Sequence, residues 1–146
     1  MRGHFLRTYL VLMAFLALSV NHVAAKGSEH PEATIQFKRA SASSGVTVVQ
    51  IHCEADARYC RGRQLDNDTA VVVKKIRWRA LGPILEKAAH SEELKAAAKP
   101  INDGDHYSWN LQYGEIALGG GYSNQSREPA PREIFILEAK VMELLE

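Results

Sequence analysis

The chain has 146 residues with 18 basic and 17 acidic side chains, 46% hydrophobic residues and two cysteines. That size accommodates one domain, and the near-even charge balance argues against a dedicated nucleic-acid binder. A chain this long can bury a core without depending on metal or many disulfides.

Residues 1–25 have the pattern of an export signal: Arg2 and Arg7 give a positive start, Leu10 to Val20 an apolar run, and Val23-Ala24-Ala25 a small-residue cleavage site before Lys26. The apolar run is about 11 residues, against roughly 20 for a membrane-spanning helix, so no stable membrane anchor is expected after cleavage. No cysteine directly follows the cleavage site, which argues against a lipid-anchored form. The expected product is secreted or periplasmic, with 16 basic and 17 acidic residues left once Arg2 and Arg7 are removed.

The polar stretch 26–32 (KGSEHPE) is expected to be a flexible leader, and 33–146 a single α+β domain. ATIQFKR, from Ala33 to Arg39, alternates apolar and polar residues as a half-buried strand does. After the turn-rich ASASSG, Val46 to Cys53 forms a second β-rich run, and the two are expected to pair as a hairpin. In the second run the period of two turns Val49, Ile51 and Cys53 inward and Val48, Gln50 and His52 outward.

QLDNDT reads as a turn, and Ala70 to Trp78 suggests a third extended segment of ambiguous register. Helix formers begin at Ala80, with Gly82-Pro83 expected to delay the helix so that Pro83 lies in its first turn. Ser91 is placed as the N-cap of a short helix that Pro100 ends. YSWNLQY, from Tyr107 to Tyr113, is the cleanest strand, and Gly114-Glu115 turns it into Ile116 to Leu118. The last segment, from Pro131, carries Ile134, Leu137, Val141, Leu144 and Leu145 as one helical stripe.

This order implies an α+β fold: a small antiparallel sheet built from two hairpins, packed on one side by two or three helices. The passage from DGDHYSWNLQYGE to EPAPREIFILEAKVMELLE resembles, over the last third of the chain, the arrangement of elements in small β-rich proteinase-inhibitor domains of the emfourin type. No diagnostic motif accompanies that resemblance.

Cys53 and Cys60 are the only cysteines, and an even count in an exported chain implies a disulfide. A turn can close their C-x₆-C spacing, and the bridge should contribute about 2 kcal/mol. Zinc is the alternative, with His52, Cys53 and Cys60 as donors, but no second cluster completes a tetrahedral set. No metal site and no cofactor is expected. NDGD, from Asn102, lacks the later ligands of a calcium loop and reads as a turn.

For function, the leading expectation is an exported, soluble, non-catalytic binding protein that inhibits or neutralises another protein. Seven basic residues between Arg58 and Arg79 face only Asp66 and Asp68, either as a binding surface or as a solvated face. The candidate contacts are Arg58, Arg61, Arg63, Lys75 and Arg77, with Tyr122 and Asn124 from the glycine-rich loop at Gly119 to Arg127, whose composition suits an adaptable binding surface. The unidentified partner is expected to be a protein. The alternative is a small envelope hydrolase or transferase using His106 with Asp103 or Asp105, although no nucleophile motif supports it. Asn67-Asp-Thr and Asn124-Gln-Ser are glycosylation acceptors in a eukaryotic secretory pathway.

Overall fold

The computed structural model describes residues 29–124 and 129–146. The signal-like segment 1–25, part of the leader and the 125–127 portion of the glycine-rich loop lie outside the described residues.

Six strands form one open antiparallel sheet: β1 (Ala33–Ser41), β2 (Gly45–Cys53), β3 (Tyr59–Asp66), β4 (Thr69–Arg77), β5 (Tyr107–Tyr113) and β6 (Ile116–Tyr122). Their spatial order is β4-β3-β2-β1-β5-β6. The first four make a meander, and the β5–β6 hairpin then adds beside β1. Three helices pack on one face: α1 (Trp78–Ala89), α2 (Glu92–Ala96) and α3 (Arg132–Glu143). The fold is therefore the α+β arrangement that the element order implies, with more strands than the alternation of apolar residues reveals.

The main addition is β3, YCRGRQLD, which the sequence pattern does not mark as a strand and whose QLD it assigns to a turn. Its inward side carries Cys60 and Gly62 in place of bulky aliphatics, so no apolar alternation marks it. A Cβ on Gly62 would come within 2.8 Å of the Leu145 and Ile76 terminal methyls and displace them. The β3–β4 connection is the two-residue turn Asn67-Asp68, both at positive φ, the geometry that matches strand twist. Asn67 Oδ1 also accepts from the Val46 amide at 2.9 Å, tying this turn to the start of β2.

Helix α1 begins at Trp78, earlier than Gly82-Pro83 suggests, and Pro83 lies inside it. No side chain caps this start, but the Trp78 amide donates to the Arg58 carbonyl at 3.0 Å, satisfying one of the first-turn donors. Ser91 does cap α2, its hydroxyl accepting from the Leu94 amide at 3.3 Å.

The core lies between the helices and the inward residues of the sheet. Ile35, Phe37, Ile51, Trp109 and Leu111 meet Leu81, Leu85, Ile134, Leu137 and Val141 in one buried cluster. At its rim Arg39 makes a two-pronged pair with Glu138 on α3, Nε to Oε1 at 3.0 Å and Nη2 to Oε2 at 2.8 Å. The buried Tyr107 hydroxyl donates to the same carboxylate at 2.7 Å. Burial, and then the bond to Glu138, push the Tyr107 pKa well above the usual phenol value.

Gly119-Gly120-Gly121, read as a flexible loop, is instead the second half of β6. Each glycine makes room for a neighbour: a Cβ on Gly120 would lie 2.8 Å from Trp109 Nε1, and one on Gly121 would strike the Asp105 carboxylate. The chain after α2 runs along this edge, with the Lys99 amide donating to the Gly119 carbonyl at 2.9 Å.

Candidate binding surface

The helices cover one side of the sheet and leave the β2–β4 part of the other side open. Strand register decides what stands there. Thr34 on β1 is opposite His52 on β2, His52 is opposite Arg61 on β3, and Arg61 is opposite Lys75 on β4. The next row sets Gln36, Gln50, Arg63 and Val73 side by side, and Tyr59 pairs with Arg77. Directly opposed residues share a face of the sheet, so Arg61, Arg63, Lys75 and Arg77 gather on one surface, while Lys74, opposite Gly62, belongs to the other.

Several of these side chains are held. Arg63 donates to Gln50 Oε1 through Nε at 3.2 Å and Nη2 at 2.8 Å. His52 Nδ1 lies 2.9 Å from Thr34 Oγ1, and its Nε2 lies 3.7 Å from Glu32 Oε1. The Arg58 guanidinium sits 5.7 Å from the centre of the Tyr59 ring. Together Gln50, His52, Glu54, Tyr59, Arg61, Arg63 and Lys75 line a shallow depression of about 460 Å³.

Like charges set directly opposite one another across strands repel, at a cost of a few tenths to about 1 kcal/mol per pair. Among the described residues the ion pairs are Arg39–Glu138, His52–Glu32 and Lys95–Glu92. None of them neutralises Arg58, Arg61, Arg63, Lys75 or Arg77. Glu54 alone brings a carboxylate to the lining of the depression.

The structure thus brings Arg61, Arg63, Lys75 and Arg77 together, with Arg58 just before β3. It does not bring Tyr122 or Asn124 to them, because both lie at the far edge of the sheet, beyond β1 and β5. Tyr122 is moreover buried, in contrast to its expected place in an exposed loop: it points to the helix side of β6, where its hydroxyl is 3.5 Å from the Ala97 carbonyl. Asn124 is exposed. The residues of the surface that sequence reasoning missed are Gln50, His52 and Tyr59. The outward parity of Gln50 and His52 in β2 was the available signal, but their neighbours could not be known without β3.

Cys53 and Cys60 form a disulfide, both buried on the helix side. Their sulfurs are therefore not zinc ligands. His106, Asp103 and Asp105 fall in and after the turn that precedes β5. The Asp105 carboxylate accepts from the Asn102 amide at 2.7 Å, closing that turn, and Asp103 is exposed. No hydrogen bond among the described residues joins the His106 ring to either carboxylate, and its Nδ1 is buried without a partner.

A second depression, about 410 Å³, lies among the helices, where Ile84, Leu94, Ile136 and Leu137 give it an apolar lining. No helix of the described residues is long and apolar enough to cross a membrane.

What fold and site define is an α+β protein with an open six-stranded antiparallel sheet, helices on one face and a cationic surface on the other. Comparison with protein-family models, with curated proteins and with solved structures finds no match to the chain.

Proposed function

We propose that the protein is an exported, non-catalytic binding protein, and that the open face of β2, β3 and β4 is where it contacts a partner protein. The observation that carries this reading is the cluster of Arg61 and Arg63 on β3 and Lys75 on β4: three exposed cations on two adjacent strands, with no ion pair to any described carboxylate. Apart from the hydrogen bonds of Arg63 to Gln50, the fold leaves these charges uncompensated, and an anionic partner would compensate them. Stability given up at a surface in this way is a mark of binding sites. Export is supported by the signal-like start of the chain and by the pairing of both cysteines, which suits an oxidising secreted or periplasmic setting.

The experiment is site-specific photo-crosslinking of the exported protein in its native host. A photoreactive phenylalanine replaces Tyr59 or Lys75 on the open face, or Lys87 or Ile136 on the helix side. The reading predicts one discrete crosslinked protein from positions 59 and 75 and none from 87 and 136. Equal crosslinking from all four positions, or none from the open face, contradicts it.

A further inference from the structure

We propose that this face, on the reading of it as the binding surface, takes an extended acidic segment of the partner protein, with carboxylates at alternate positions seated on the Arg61–Lys75 pair and on Arg63. Three features of the surface carry the inference. The first is charge: the cations are exposed and lack described ion-pair partners, so an anionic segment supplies what the fold leaves out.

The second is preorganisation. Gln50 already fixes the Arg63 guanidinium through Nε and Nη2. Its remaining N–H donors are thus presented in one plane, as two-point recognition of a carboxylate requires.

The third is spacing. Arg61 and Arg63 are two residues apart on one strand, a separation of about 6.8 Å for an extended chain. A partner segment in the extended conformation repeats its own side chains on one side at the same interval, so Glu-x-Glu matches Arg61-x-Arg63. The surface is also concave, with Gln50, Glu54 and Tyr59 lining the depression beside the cations. A narrow extended chain can enter a depression of about 460 Å³, whereas a flat anionic bilayer spans its rim.

The test measures binding to the exported protein of a labelled heptapeptide that alternates glutamate and threonine, at 20 mM and 200 mM salt. Its controls are the glutamine–threonine peptide, a thymidine pentanucleotide carrying the same four charges, and vesicles with phosphatidylglycerol. The acidic peptide is expected to bind at least about tenfold more tightly than the glutamine peptide and the pentanucleotide, with affinity lost at the higher salt. Double reversal R61E/R63E should weaken it by about tenfold or more, as should K75E, whereas K87E on the helix side should leave it unchanged. Circular dichroism of each variant checks the fold, and the milder R61Q/R63Q pair should give a smaller loss in the same direction.

Equal affinity for the glutamate and glutamine peptides overturns the proposal, as does tighter binding to the pentanucleotide or to vesicles. Indifference of a folded R61E/R63E variant overturns it too. If the peptide fails while crosslinks from positions 59 and 75 persist, the acidic class is wrong and the binding face stands. If those crosslinks are absent, the reading of the face itself falls.

Discussion

Arg61 on β3 and Lys75 on β4 stand directly opposite one another on the uncovered side of the sheet, two like charges held side by side by strand register. Removing either charge should relieve the repulsion. Lys75→Gln or Arg61→Gln is expected to raise stability by a few tenths of a kcal/mol. Urea unfolding at 20 mM and 200 mM salt checks this: added salt should stabilise the wild type more than either variant. A loss of stability in both variants would mean that these cations have folding partners not accounted for.

Cys53 ends β2 and Cys60 is the second residue of β3, the two facing each other with Cα atoms 4.4 Å apart, the spacing of a directly opposed, non-hydrogen-bonded pair. The bridge holds the end of β3 on which the basic surface is built. Replacing both cysteines by alanine should cost about 2 kcal/mol from loop closure, with a further cost where the buried sulfurs leave space. The urea midpoint of the double variant, and of wild type with reductant, reads this. The intact mass of the exported protein should lie about 2 Da below the fully reduced value, as one disulfide requires.

Gly120 gives up its side chain to the Trp109 indole. Gly120→Ala should destabilise by about 1–3 kcal/mol, because the clash is with a fully buried ring and with the Ala97 carbonyl at 3.3 Å. Gly104→Ala is the matched control, since nothing lies within 4 Å of its added carbon, and it should stay within about 0.5 kcal/mol of wild type. Thermal unfolding followed by tryptophan emission separates the two.

Tyr107 donates to Glu138 from a buried position, and its folded pKa is raised. For a group whose pKa is higher in the folded state, the stabilisation is complete below the unfolded value, near 10 for tyrosine, and is lost as pH rises above it toward the folded value. Stability should therefore fall above about pH 10, as the tyrosine ionises in the unfolded chain. Tyr107→Phe should cost about 1.5 kcal/mol at pH 8, the scale of a bond to a charged group, and should flatten the alkaline fall by one proton. Urea midpoints from pH 8 to 11.5 test both parts.

These residues also show how far the sequence could be read. The alternation in Val46–Cys53 and Tyr107–Tyr113 and the stripe from Ile134 to Leu145 are strong because each element buries one regular face. β3 escaped because its inward positions hold one cysteine and then a glycine pressed under Leu145, too little apolar alternation to mark a strand. The glycine triplet was misread for a related reason: its function is to admit Trp109, Asp105 and Ile101, all distant enough in sequence to be invisible locally. The basic residues at 61, 63, 75 and 77 were legible one by one. Only the Asn67-Asp68 turn and the resulting register turn them into a surface, and only β2 supplies Gln50 to hold Arg63.

The most direct measurement of the central claim is a map of amide and side-chain NMR shifts as the alternating glutamate–threonine peptide is titrated into the isotope-labelled exported protein. The account predicts changes concentrated at Gln50, His52, Tyr59, Arg61, Arg63 and Lys75, with the helix groove at Ile84, Leu94 and Ile136 unmoved. Changes confined to that groove, or spread over lysines on every face, would contradict it.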